Sequence, residues 1–206
     1  RIGVGATPFL LPLYFQLGFG MTPLESGLLT FAIAVGAVVM KTTAAPILRQ
    51  FGYRPVLVWN AFIAAFFIVV CSLFTAATPQ TVILATLLVG GFFRSLEFTA
   101  INTIAYADIG EHEMSKATSF ASVSQQLSMS AGVAVGALVL EFQRAGRESH
   151  EVLASDFTLA FLIVGGICAS SALVFMRLPK DAGASLSRKA HRLGEPDKQR
   201  ELVPED

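Results

Sequence analysis

Charged side chains are scarce in this 206-residue chain. Asp, Glu, Lys and Arg make up 15% of the residues, against about 25% in ordinary soluble domains, while 53% are hydrophobic. This composition excludes a soluble globular protein.

Side chains that hold metals or form disulfides are also few. Cys71 and Cys168 both fall inside apolar segments, which predicts small hydrophobic residues of helices without a pairing partner. His112, His150 and His191 lie in loops or the tail and lack metal-ligand spacing. We therefore expect no metal site and no cofactor.

Long apolar runs are what the chain has instead. A helix crosses a bilayer with about 17 to 25 apolar residues, and six runs meet this length. They lie at 2–19, 27–48, 56–77, 81–107, 117–142 and 157–176. The runs are continuous and lack the alternation of a barrel strand, so helices are predicted. The sequence thus predicts an all-α, polytopic membrane protein, with a six-helix transmembrane bundle over residues 1–178.

The placement of Lys and Arg predicts the orientation of this bundle. Successive loops alternate between the two sides of the membrane. One side carries eleven Lys and Arg residues and the other carries two, and basic loops stay in the cytoplasm. Both chain ends are therefore predicted to be cytoplasmic. Residues 179–206 mix both charges with little apolar content, which predicts a disordered tail. The chain starts at Arg1 without a signal-peptide pattern, which indicates the carboxy-terminal piece of a longer protein.

The fourth run carries Arg94 and Glu97 near its middle. A charge at that depth costs about 2.5 to 3.5 kcal/mol on insertion scales, so the pair suggests a pathway through the membrane. At about 100° per residue the two side chains share one helix face. Since they are three residues apart, a second interpretation is an internal ion pair that fixes the bundle. Both interpretations remain open at this stage.

Other polar residues at membrane depth suggest a polar interior. They are Gln16, Asn60, Asn102, Gln125 and Gln126. Each of them is equally explained by a hydrogen bond between two helices.

A stripe of small residues runs along the fifth apolar run. Ser124, Ser128, Gly132 and Gly136 recur every four residues, a spacing that lets two helix backbones approach closely. The stripe predicts a helix-packing seam.

Several motifs, taken in order, resemble one known family. The runs PFLLPLYFQ at 8–16 and TPLESG at 22–27 look like the beginning of the late helices in the drug:proton antiporter branch of the major facilitator superfamily. The likeness is closest to the fourteen-segment, EmrB/QacA type. PILRQFGYRP at 46–55 resembles the degenerate second copy of that superfamily's cytoplasmic Gly/Arg loop, and QQLSMSAG at 125–132 resembles its penultimate helix.

The resemblance implies a carboxy-terminal half-transporter. Its six helices would pack against an amino-terminal half, and transport would proceed by rocking one half against the other about a midplane site. The implied partners are the lipid bilayer, that other half, a small-molecule substrate and protons, in a bacterial-type inner membrane. Gln50 stands where an acidic residue often occurs in the better-kept first copy of the loop.

The loop also supplies a candidate cytoplasmic gate. It consists of Arg49, Gly52 and Arg54 together with Asp108. The two arginines would meet helix carboxy-terminal carbonyls or the Asp108 carboxylate. Plain positive-inside anchoring is the alternative.

The function expected from these observations is proton-coupled efflux of drugs or other small amphipathic molecules. Protonation of Glu97 would couple to binding of a cation, and a pathway along Arg94 and Glu97 would need the amino-terminal half as its other wall. A membrane protein that only associates with a partner half is one alternative. An intramembrane enzyme such as a rhomboid-like protease is remote, because no histidine lies in any span to activate a serine. We expect no nucleic-acid partner.

Overall fold

The residues that the structure describes fold into six α-helices with short π- and 3-10-helical turns, which confirms the predicted all-α bundle. A computed structural model describes residues 1–107, 109–145 and 152–179. The helices are α1 Ile2–Leu13, α2 Pro23–Phe51, α3 Tyr53–Cys71, α4 Gln80–Ala105, α5 Met114–Ala145 and α6 Ala154–Phe175. Within the described residues, α2 to α6 are each long and apolar enough to cross a membrane, and Ile2–Gly18 forms a shorter apolar helix.

The first helix changes its hydrogen-bond register before it ends. Pro8 and Pro12 lie inside α1, and a π-helical turn over Tyr14–Gly18 continues it. Proline has no N–H to donate to the preceding turn, which weakens the ladder there. The Tyr14 hydroxyl donates to the Phe74 carbonyl at 2.6 Å. This bond ties the widened turn to the segment that follows α3.

Helix α2 begins earlier than the apolar run that predicts it. The Thr22 hydroxyl accepts from the backbone N–H of Glu25 at 3.3 Å, and the Glu25 carboxylate accepts from the Thr22 N–H at 2.8 Å. This reciprocal capping box satisfies two of the free N–H groups at the helix start. Residues 22–25 (TPLE), which belong to the motif at 22–27, therefore have a local structural role at the start of α2.

The predicted end of the third span at residue 77 is wrong, because α3 ends at Cys71. The Ser72 hydroxyl donates to the Val69 carbonyl at 2.6 Å, and the Thr75 N–H donates to the Thr78 hydroxyl at 2.9 Å. Hydroxyl side chains that bond the nearby backbone favour turns over helix. Apolar composition continues through this turn, so hydropathy alone did not mark it.

The closest helix pairs are not neighbours in sequence: α2 packs on α4, α3 on α6 and α1 on α5. At the α2–α4 crossing, a Cβ added to Gly91 would lie 2.7 Å from the Ile33 Cα, so the two backbones are in direct contact. Small residues permit such approaches between membrane helices. The pairing leaves α1, α3, α4 and α6 around a common interior space.

Candidate functional site

That interior space is a cavity of about 150 Å³ that contains three charged side chains. Arg94 and Glu97 reach it from α4, and Arg1 reaches it from the start of α1. Arg94 lies about 21 Å along α4, a helix about 39 Å long, so this charge is near mid-helix.

Arg94 and Glu97 line one cavity but do not pair. Between described residues, the one Lys or Arg nitrogen within 4.0 Å of a carboxylate is on Arg144, 3.6 Å from Glu141. The interpretation of Arg94 and Glu97 as a direct internal ion pair therefore has no support in this geometry. Each of the two charges is left to interact with something else.

Arg94 lies where two cavities meet. The second one, of about 30 Å³, extends from Arg94 along α4 towards Thr86 and is almost wholly apolar. Across the described residues, the Arg94 guanidinium makes no hydrogen bond and no ion pair. The thiols of Cys71 and Cys168 are close enough to interact with it electrostatically. Five N–H donors are thus available at mid-helix.

Glu97 lies beside the amide of Asn60 on α3. The Asn60 side chain is 3% exposed, and its N–H donates to the Phe93 carbonyl at 2.8 Å. Its buried Oδ1 has no donor among the described residues. Asn60 offers Glu97 an amide N–H donor, which suits the carboxylate form of Glu97.

Arg1 is a site residue that sequence reasoning missed. Its guanidinium donates to Asn102 Oδ1 at 2.5 Å and to Gln125 Oε1 at 3.2 Å, and lies 5.7 Å from the centre of the Phe98 ring. It therefore joins α1 to α4 and α5 at one end of the cavity. Its spacing in the sequence gave no signal, since the contacts depend on how α1 packs.

Two of the predicted polar residues do not join this site. Gln16 lies in the π-helical turn at the other end of the α1 segment, and Gln126 is exposed on α5. Neither of them lines the cavity of Arg94 and Glu97. Asn102 and Gln125 approach it only through Arg1.

The predicted gate residues have different surroundings. Arg54 donates to the Met176 carbonyl at the end of α6, with a distance of 2.7 Å. Arg49 is exposed on the last turn of α2, and no hydrogen bond or ion pair joins it to the described part of the chain. Gly52 ends α2 with a positive φ of 77°, a conformation in which glycine is favoured. Asp108 lies outside the described residues.

The small-residue stripe of α5 faces α1 in part. Gly132 and Gly136 are buried, and the backbone of Ile2 leaves no room for a Cβ at Gly132. Ser128 and Ser124 are only partly buried, and the Ser128 hydroxyl donates to the Ser124 carbonyl at 2.8 Å. The glycines bring α1 close to α5, which positions Arg1 beside Gln125.

Comparison with known families decides the class of this bundle. The family model described as Major Facilitator Superfamily matches residues 1–204. The chain belongs to that superfamily. It is therefore an integral membrane protein of a transporter family and not an enzyme.

Curated relatives of this superfamily member carry the name "Putative multidrug resistance protein MdtD". Those of Klebsiella pneumoniae and Cronobacter sakazakii are 30% and 31% identical over 94% and 88% of this chain. One from Yersinia pestis is 31% identical over 90% of it. The matched parts are 42%, 39% and 40% of those proteins, so the chain spans about two fifths of their length. No solved structure matches the chain significantly.

The Arg54 contact gives this superfamily member a testable stabilising bond. We expect Arg54→Gln in the complete gene product to lower the free energy of unfolding by about 1 kcal/mol, because the hydrogen bond from the guanidinium to the Met176 carbonyl is lost. The corresponding fall in melting temperature in detergent is about 2 to 4 °C. Arg49→Gln is the matched control, and an equal fall for both variants would contradict the assignment.

Proposed function

We propose that this chain is the carboxy-terminal half of a proton-coupled exporter of the fourteen-segment drug:proton antiporter branch. It would expel drugs or other small amphipathic molecules. The order of the motifs from residue 8 to residue 132, the superfamily match and the names of the relatives support this proposal. The coverage of about two fifths of the relatives fits a half that works with an amino-terminal partner.

The observation that carries the proposal is a carboxylate without an ion-pair partner in a cavity, well away from both ends of the apolar helix α4. Glu97 has no ion-pair partner among the described residues and lies beside the side-chain amide of Asn60. Ionisable groups at this depth mark ion and proton pathways, because keeping them there without use is costly. Glu97 is thus our candidate for the proton-carrying group.

Proton exchange at Glu97 would couple to substrate through charge. The groups that face it are Arg94 on its own helix, Arg1 on α1, Asn60 on α3 and Cys168 on α6. A protonated Glu97 would be neutral, whereas an ionised one would attract a cationic group. Proton and cation therefore compete for one site, which is the requirement for antiport.

The membrane arrangement we propose follows the charge count. Residues 1–178 form the bundle in a bacterial-type inner membrane with both chain ends in the cytoplasm, in contact with lipid and the amino-terminal half. Arg49, Gly52, Arg54 and Asp108 remain the proposed cytoplasmic gate. Arg94, Glu97, Asn102 and Gln125 remain the proposed pathway, from which Gln16 and Gln126 are dropped because they do not line the cavity. Residues 179–206 are proposed as a cytoplasmic tail.

A drug-susceptibility and efflux panel on cells that express the complete gene tests this function. We expect resistance to at least one amphipathic drug, and we expect Arg94→Ala to reduce its efflux roughly tenfold or more because a mid-membrane charge is lost. Arg144→Ala is the matched control, since that side chain is 43% exposed and paired with Glu141 near the end of α5. Unchanged susceptibility to every compound would overturn the exporter assignment.

A further inference from the structure

The cavity contains two opposite charges that do not form an ion pair with each other, so each of them can pair with a charged group of a ligand. Arg94 and Glu97 are three residues apart on α4, so their Cβ atoms lie about 5 to 6 Å apart. No nitrogen of Arg94 comes within 4.0 Å of a Glu97 oxygen. An uncompensated charge away from water is costly, so a ligand that pairs with it gains binding energy.

The third charge in the cavity does not serve either of them as a direct partner. Arg1 is held by the neutral oxygens of Asn102 and Gln125, and it makes no ion pair with Glu97. Since these acceptors are uncharged, the Arg1 charge persists, and the three side chains together are net positive. A purely cationic ligand would add to that excess and leave Arg94 without an anion.

A purely anionic ligand fits no better. Bound to Arg94, it would place a second negative charge within about one helical turn of Glu97. A molecule with one charge of each sign would pair its anion with Arg94 and its cation with Glu97. It would also leave the net charge of the cavity unchanged.

The cavity also limits the size of the apolar part of such a molecule. Its volume of about 150 Å³ equals that of an engineered cavity in another protein that binds benzene. Most of its wall is apolar, with Ile2, Ala64, Phe98 and Ile167 contributed by four different helices. Small-molecule sites combine such a wall with a few convergent polar groups.

We propose that this cavity selects small amphipathic zwitterions, whose anionic group pairs with the Arg94 guanidinium while the cationic group pairs with the Glu97 carboxylate. A guanidinium binds a carboxylate through two parallel N–H donors, which sets the orientation of the ligand. The cation at Glu97 displaces the proton there. This inference rests on the proposed exporter function and names its substrate class.

Four compounds that share one phenyl body test the inference on the purified complete gene product. They are β-phenyl-γ-aminobutyrate as the zwitterion, β-phenylbutyrate as the anion, β-methylphenethylamine as the cation and the corresponding alcohol as the neutral relative. Binding is measured as displacement of a transported dye. We expect the zwitterion to bind at least roughly tenfold more tightly than each of the other three, a difference of about 1.4 kcal/mol.

Two variants separate the contributions of the two charges. With Arg94→Gln, the zwitterion should bind no better than the amine, and with Glu97→Gln, no better than the carboxylate. The Arg144→Gln and Glu141→Gln variants on α5 are the matched controls and should keep the wild-type preference. The compound series on wild-type protein needs no variant, so poor folding of a variant leaves the test intact.

Equal binding of the four compounds, preference for the amine, or binding of none of them would overturn the zwitterion inference. Each of these results leaves the exporter proposal standing if the drug panel shows efflux. Failure of that panel on every compound would overturn the exporter proposal itself. The two experiments therefore fail separately.

Discussion

Glu97→Gln is expected to abolish proton coupling in the complete transporter. Glutamine has the shape of the protonated carboxyl group but cannot release a proton. In unbuffered detergent solution, substrate should release up to about one proton per wild-type molecule and none from the variant. Proton-driven efflux in inverted vesicles should fall roughly tenfold or more.

Glu141→Gln provides the control for this result. Its side chain is 68% exposed and lies 3.6 Å from Arg144, so the same chemical change occurs outside the cavity. Proton release and efflux should both match the wild type. Proton release from the Glu97→Gln variant at the wild-type level would show that another group carries the proton.

Gly91→Val is expected to disrupt the contact between α2 and α4. The new Cβ would lie 2.7 Å from the Cα of Ile33, and Gly36 meets the backbone of Leu88 and Phe92 on the other side of the same crossing. Backbone atoms cannot rotate away as a side chain can, so the helices must separate. We expect a loss of about 3 kcal/mol or more, at the upper end for overpacked sites. Thermal unfolding of the complete protein in detergent measures it.

Gly166→Val is the matched control for the crossing. Gly166 also lies inside a transmembrane helix, α6, but nothing lies within 4 Å of a Cβ built there. Its replacement should change stability by less than about 1 kcal/mol. If both variants lost the same stability, the cause would be the loss of glycine itself. The α2–α4 contact would then not be the reason for the loss of stability.

The effect of Gly91→Val should extend to the site. Gly91 precedes Arg94 by three residues, less than one turn along α4, so separating α2 from α4 also moves the cavity wall. A Gly91→Ala variant, with a smaller clash, should reduce efflux before it reduces the yield of folded protein. Positioning of charged groups is sensitive to shifts of about 1 Å.

The sequence predicted most of the helices, because the hydrocarbon core of a bilayer requires every span to have a minimum length and an apolar composition. Local hydrogen bonds determine where the helices begin and end, at positions that differ from the predicted ones. The Thr22–Glu25 capping box starts α2 before its apolar run, and the Ser72 and Thr75 hydrogen bonds end α3 while the chain is still apolar. The π-helical turn after Leu13 depends on which carbonyl each N–H reaches, and composition carries no information on that choice.

The sequence predicted only part of the candidate site. The spacing of Arg94 and Glu97 predicts a shared helix face, and the structure has both on one cavity wall. Whether they pair was open, since a three-residue spacing permits pairing without requiring it. The neighbours Asn60 and Arg1 lie on other helices, so no spacing within α4 could identify them as partners.

The sequence by itself determined that this protein is a helical membrane bundle with two costly charges at mid-depth, because apolar length and helical periodicity are local properties. Only the tertiary structure decided which helices pack together and what each charge meets. The glycine contacts between α2 and α4, and between α1 and α5, bring distant segments together and form the cavity of Arg94 and Glu97. Burial and partnership depend on those long-range contacts, which no local pattern encodes.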